Sequence, residues 1–176
     1  MFGRFENEKN EGNEKKTKLI LIGSKRRLRN LKVNNNRTSI NIRGTKIEFI
    51  HSVRDLGLTI DENLTLKKQV NLVVKSCNNQ LRNIYFIKKY VTKTCLKMIV
   101  FNQIISRLDY CNSAYTGLPK YLLRKMQIIL NKRARLVSGT TVDERITPEL
   151  INLHWLPIKA RINYKIFHLV HIARLS

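Results

Sequence analysis

Acidic side chains are what this sequence has least of for its size. Twelve Asp and Glu face thirty-four Lys and Arg in 176 residues, a formal charge of +22. Such an excess repels itself in a compact chain, and a polyanion relieves the repulsion. Nucleic acid is the commonest polyanion of that kind. The deficit is sharpest from Asn63 to Val142, where Asp109 is the single acid against fifteen Lys and Arg. Cysteine is also scarce. Cys77, Cys95 and Cys111 are odd in number and widely spaced. That pattern argues against a disulfide framework and for reduced thiols in a nuclear or cytoplasmic protein. Long apolar runs are missing. The longest candidate, Met98 to Ile105, is interrupted by Asn102 and Gln103, so no membrane span is expected. No separate amphipathic arm suggests an anionic membrane surface as partner. Glu6, Glu8, Glu11 and Glu14 make the N-terminus unlike a signal peptide.

The residue sets that carry catalysis are equally thin. Two-metal nucleotidyl transfer needs carboxylates converging on two ions. The adjacent acid pairs are Asp61-Glu62, which precedes a helix, and Asp143-Glu144, in a loop before one; acids in such places are usually helix-start residues favoured by the dipole. No Tyr-x-Asp-Asp occurs, and no glycine loop that would cradle phosphates. His168 and His171 stand three apart, but no Cys or acid follows at ligand spacing. No cysteine has a neighbouring His to activate it as a nucleophile. Catalytic residues, metal, cofactor and small-molecule substrate are therefore not expected.

The apolar content of 43% suffices for a core in a chain of this length. Residues 1–16 are charged and aperiodic, and read as a disordered leader. Thr17 to Gly23 reads as a buried strand, and Ser24 to Leu31 as a basic turn or short helix. Thr38 to Arg43 and Lys46 to Ile50 alternate about Gly44-Thr45, which predicts a hairpin. Val53 to Ile60 offers one more strand. Beyond Asp61 the period becomes helical. Leu66, Val70, Val73, Cys77, Leu81 and Ile84 recur at spacings of three and four, with Thr65 as N-cap. A second helix runs from about Lys93 to Leu108 under a Thr92 cap, with Leu96, Ile99, Val100, Ile104 and Leu108 inward, and extends toward Tyr115. A third starts at Pro119 as a first-turn residue and ends near Val137 before Gly139. Its inward arc is Leu122, Leu123, Met126, Ile129, Leu130 and Val137. Thr147-Pro148 opens a short helix to about Leu153. Pro157 opens the last, with Ile158, Ile162, Ile166, Leu169, Val170 and Ala173 on its apolar side. The expected class is α+β, mainly α. A β-rich piece of about three strands, residues 17–61, precedes a bundle of about five helices, residues 63–175.

The basic residues are patterned. Lys68, Lys75 and Arg82 recur every seven residues opposite the first helix's apolar face, with Lys89 just beyond. Arg124, Lys125, Lys132 and Arg135 fall on the outer side of the third helix. Ordinary solvated faces interleave both signs, because i,i+4 pairs help the helix. Here the acids are missing over both helices. These eight residues are therefore the candidate nucleic-acid contacts, to phosphates of an RNA or DNA duplex rather than to bases. Tyr85, Tyr90, Tyr115 and Tyr121 can stack on bases, though tyrosines at helix ends more often pack, and packing is the expectation. Arg133 falls inside the third helix's apolar arc. A buried unpaired charge is costly, so Asp109 is expected to pair with Arg133 or Arg135.

Several ordered motifs carry a resemblance. They are Lys16-Thr17 with Leu21-Ile22-Gly23, Val53-Arg54-Asp55-Leu56-Gly57, Asn63-Leu64, and Val74-Lys75-Ser76-Cys77 with Gln80-Leu81-Arg82. Ser106-Arg107-Leu108-Asp109-Tyr110-Cys111-Asn112 follows, then Thr116-Gly117-Leu118-Pro119. Ile146-Thr147-Pro148, Leu153-His154-Trp155-Leu156-Pro157 and Arg161-Ile162 complete the series. Over roughly Lys15 to Arg174 the chain resembles the polyproteins of non-LTR (LINE-type, jockey-like) retrotransposons, just downstream of the reverse transcriptase's catalytic aspartates. The resemblance implies that residues 17–61 correspond to the end of the palm, with a Leu56-Gly57 strand near the primer-gripping element. It implies that residues 63–175 correspond to the thumb and its helical continuation, which hold a template–primer duplex. The fingers, most of the palm, the metal-binding aspartates and the endonuclease of such polyproteins are not in this sequence. Residues 1–16 do not match the family, and Lys132 and Arg133 stand where it usually has small residues. The expectation is a non-catalytic reverse-transcriptase fragment that binds duplex without sequence preference. The alternatives are a part of an active RNA-directed DNA polymerase polyprotein, or a helical protein-interaction scaffold or decayed gene product.

Overall fold

Two hairpins and a set of helices follow one another along the chain. A computed structural model describes residues 17–35, 39–42 and 44–175. The expected leader, 1–16, lies outside the described residues. The chain is α+β and mainly helical. It divides into two units, Met1–Leu64 and Thr65–Ser176.

In the first unit, helix α1 (Lys25–Asn35) precedes strands β1 (Ser39–Ile42), β2 (Thr45–Glu48), β3 (Ser52–Asp55) and β4 (Leu58–Asp61). β1 pairs antiparallel with β2, Ile42 opposite Thr45, and β3 with β4, Asp55 opposite Leu58. Val53 to Ile60 is thus a hairpin rather than one strand. Leu56 (φ 42°) and Gly57 (φ 80°) form its turn. Positive φ at both central residues is the backbone of a type I′ turn, whose twist matches paired strands. Leu56-Gly57 is accordingly a turn, not the strand the resemblance implied. The expected strand over Thr17 to Gly23 does not form. Leu19 makes an isolated parallel bridge to Phe49, and the Gly23 N–H donates to the Glu62 carbonyl at 2.9 Å. Leu28, Ile47 and Thr59 are buried in this unit.

The second unit is built from α2 (Lys67–Ile87), α3 (Lys93–Val100), α4 (Ser106–Asp109), α5 (Lys120–Ser138), α6 (Thr147–Asn152) and α7 (Ile158–Leu175). The α2 core face follows the sequence period: Leu66, Val70, Cys77 and Ile84 are buried. Thr65 is not its cap. Leu66, in the left-handed region, takes the N-cap position, and the Thr65 hydroxyl accepts from the Lys67 N–H two residues on. Thr92 does cap α3, accepting from the Cys95 N–H at 3.3 Å.

Between α3 and α4 the chain makes one π-type turn, Phe101–Ile105. A π turn inserts an extra residue into the helical ladder. Ile104 and Ile105 within it are both buried. The Ser106 hydroxyl donates back to the Asn102 carbonyl at 2.5 Å beside the turn. The run does not continue helically to Tyr115. Tyr110 is extended and Cys111 left-handed, and a short 3-10 turn, Asn112–Tyr115, follows.

Pro119 is the N-cap of α5 rather than a first-turn residue, and Gly139 (φ 86°) ends the helix. Leu122, Met126, Ile129, Leu130, Ala134 and Val137 are buried. α6 ends in a Schellman arrangement. The Trp155 N–H donates to the Leu150 carbonyl and the His154 N–H to the Ile151 carbonyl, with His154 at φ 58°. The Gln127 side-chain oxygen accepts from the Ile158 N–H at 2.9 Å, which ties α5 to the start of α7. Only the first turns of α7 join the core. Ile158 and Ile162 are buried, whereas Leu169, Val170 and Ala173, expected inward, are exposed.

Candidate nucleic-acid interface

The relative direction of α2 and α5 follows from two side-chain contacts. The Lys125 ammonium donates to the Asn71 side-chain oxygen at 3.0 Å, and the Arg133 guanidinium donates to the Cys77 carbonyl. The numbers rise together on both helices, so they run parallel. The chain between them returns in the opposite sense, with Arg107 donating to Ser76 at 2.5 Å.

This register brings Lys125 of α5 beside the basic stripe of α2. Lys68 and Lys75 lie one turn to either side of Asn71 on the helix surface, and Lys125 reaches Asn71 from α5. Lys68, Lys75, Arg82 and Lys89 are all exposed, as are Arg124, Lys125 and Lys132. Neither α2 nor α5 contains an acid. Asp109, the single acid of the wider stretch, is engaged elsewhere. It pairs with Arg161 of α7 at 2.5 Å.

Arg135 differs from the other seven. It is only partly exposed, and it donates to the carbonyls of Thr141 (2.9 Å), Val142 (3.2 Å) and Glu144 (3.1 Å). Its charge holds the loop after α5 in place. In the same loop the Thr141 hydroxyl and N–H both donate to the Glu144 carboxylate, which holds its pKa below the usual carboxylate value.

Arg133 is fully buried, as the wheel placed it. Its partner is neither Asp109 nor any other carboxylate. The guanidinium donates to the carbonyls of Cys77 and Ile129 and leaves its Nε without a partner. Desolvation lowers its pKa to about 10. Burial also pushes the Cys77 thiol up. Cys95 and Cys111 are exposed, and none of the three cysteines is bridged.

The aromatic residues divide otherwise than expected. Tyr115 is buried, and burial raises its phenol pKa. Tyr85, Tyr90 and Tyr121 are exposed, and so is Phe86. The Lys88 ammonium sits 4.0 Å above the Tyr85 ring and the Lys89 ammonium 4.9 Å from the Tyr90 ring centre. The sequence signal for this cluster is the run Tyr85-Phe86-Ile87-Lys88-Lys89-Tyr90, whose apolar members fall outside the inward arc of α2.

No family model, curated protein or solved structure matches this chain.

The motifs set aside in the sequence take structural roles. Asp61 and Glu62 do not start a helix. Asp61 ends β4 and accepts from the Asn63 N–H, and Glu62 pairs with His51 at 2.9 Å. Asp143 and Glu144 lie in the loop before α6, as expected. His168 stacks on Tyr164 one turn earlier. Among the described residues no three His, Cys, Asp or Glu side chains gather as metal ligands. No helix among them is long and apolar enough to cross a membrane.

Proposed function

We propose that this chain is the end-of-palm and thumb region of a non-LTR retrotransposon reverse transcriptase, and that its second unit binds the backbone of an RNA–DNA, RNA or DNA duplex without reading sequence. One observation carries the binding. Two parallel helices present Lys68, Lys75, Arg82, Lys125 and Lys132 with no acid in either helix, while Asp109 is occupied by Arg161. A one-signed face over two helices suits phosphates, which fix position and register but carry no sequence information. The ordered motifs quoted above support the family reading. In that reading the metal-binding aspartates belong to another part of the polymerase, so this chain alone gives no DNA synthesis with Mg²⁺. Its place is with nucleic acid, in the nucleus or the cytoplasm.

The test is a salt titration of duplex binding by the purified chain. Each phosphate contact contributes about −0.9 to the slope of log affinity against log salt. Lys68→Glu, Lys75→Glu and Arg82→Glu together are expected to weaken binding and flatten that slope by about 2.7, with an unchanged circular dichroism spectrum. Affinity and slope equal to the parent chain would overturn the reading. A second reading, a helical protein-interaction scaffold, is favoured by α7, where Phe167 and Ile172 are exposed. Partner binding through such a face would change little with salt.

A further inference from the structure

The basic stripe of α2 does not fade into solvent. It ends on exposed aromatic rings. Phe86 lies one turn beyond Arg82 on the same side of the helix and is 73% exposed; Tyr85 is 58% and Tyr90 77% exposed. Three large aromatics exposed within six residues form the kind of apolar patch that marks an interaction site. The cations there narrow the choice. Lys88 and Lys89 lie against the two tyrosine rings, and Arg82 and Lys93 flank the cluster in sequence, with no acid between Asn63 and Leu108. Ring faces beside ammonium groups suit a ligand made of alternating π faces and phosphates. Single-stranded nucleic acid is that ligand, because each base stacks and each linkage carries one charge. A duplex offers its phosphates but keeps its base faces stacked inside.

We propose that the Tyr85–Phe86–Tyr90 cluster binds the unpaired strand where a duplex ends. Lys68, Lys75 and Arg82 follow the paired region, and the rings take up the bases that leave it. The distance from Lys68 to Phe86 along α2 is about 27 Å, room for roughly eight base steps of duplex before the junction. The chain thus prefers a duplex with a single-stranded tail over a blunt one. This proposal rests on the duplex reading above, which it extends to the shape of the substrate.

The experiment compares fluorescence anisotropy of the full chain with a blunt RNA–DNA hybrid and with the same hybrid carrying an unpaired tail of about ten nucleotides. The parent chain is expected to bind the tailed form about tenfold tighter, in keeping with one or two stacked bases. Tyr85→Ala, Phe86→Ala and Tyr90→Ala together are expected to remove that preference and leave blunt-duplex affinity unchanged. Tyr85→Leu, Phe86→Leu and Tyr90→Leu keep apolar bulk without the π face, and are expected to do the same if the alanine variant does not fold. Equal affinity of the parent chain for the two forms overturns the proposal while the duplex reading stands. So does a tail preference that survives in both variants. Binding to phosphatidylserine vesicles that depends on the three rings, with no tail preference, assigns the cluster to a membrane surface and also overturns it. Failure to bind either hybrid at low salt removes the duplex reading and this proposal together.

Discussion

Asp109 closes α4 with its carboxylate 2.5 Å from the guanidinium of Arg161, near the start of α7. The two residues are 52 apart in sequence, and their contact links the return leg of the bundle to its last helix. The Arg161 side chain is 13% exposed and that of Asp109 35%, so solvent screens the pair only in part. Asp109→Ala is expected to destabilise the second unit by about 1–2 kcal/mol, with Arg161→Ala similar and the double variant less than additive. Asp109→Ala and Arg133→Ala should instead add independently. Urea unfolding of the three single and two double variants checks this, and coupling between Asp109 and Arg133 would contradict the observed pairing.

Arg133 is held by two carbonyls in the core. Replacing a buried charge with an apolar side chain of similar length is often stabilising. Arg133→Met is expected to raise unfolding free energy by about 1–4 kcal/mol, read from the urea midpoint. The pH dependence has a definite sign. The folded pKa is about 10, below that of a free arginine, so the desolvation penalty is fully present below about pH 10. The unfolded chain binds more protons between those values, and stability therefore rises with pH across that window. Arg133→Met should lack this increment, which comparison of the two chains at matched pH isolates from the titration of lysines and tyrosines.

The left-handed His154 at the end of α6 is a place where glycine is cheaper. A non-glycine residue there costs about 1–2 kcal/mol, offset in part by glycine's greater freedom when unfolded. His154→Gly is expected to raise the stability of the second unit by up to about 1 kcal/mol, measured by thermal or urea unfolding.

Lys132 and Arg135 stand three residues apart on α5 and do different work. Lys132→Ala should weaken duplex binding at low salt with little effect on stability. Arg135→Ala should loosen the loop 140–146, whose carbonyls it binds. The expected readout is faster proteolytic cleavage in that loop, with duplex affinity near that of the parent chain.

Much of the bundle was legible from periodicity. Val70, Cys77 and Ile84, and likewise Leu122, Met126 and Ile129, recur at helical spacing and are buried where that spacing puts them. The π turn over Phe101–Ile105 was hidden, because no single side chain announces the extra residue. The second hairpin was read as one strand because Leu56, a poor residue for positive φ, occupies its turn. Arg133 could be placed inside by its wheel position. Its partners could not, since backbone carbonyls leave no trace in side-chain identity. The basic stripes were visible as seven-residue repeats, whereas the sharing of one surface by Lys125 and the α2 lysines depends on the register between helices. The exposure of Tyr85 and Tyr90 ran against the general habit of tyrosines at helix ends.

The parallel setting of α2 and α5 also bears on how the second unit assembles. Asn71 meets Lys125 and Cys77 meets Arg133 across 54 and 56 residues of chain. Neither long helix gains its principal neighbour from a nearby segment, so closing that distance must come before most of the hydrophobic reward. Half-made forms of this unit would hold little, and the helices should appear and disappear together in a single kinetic phase rather than one by one.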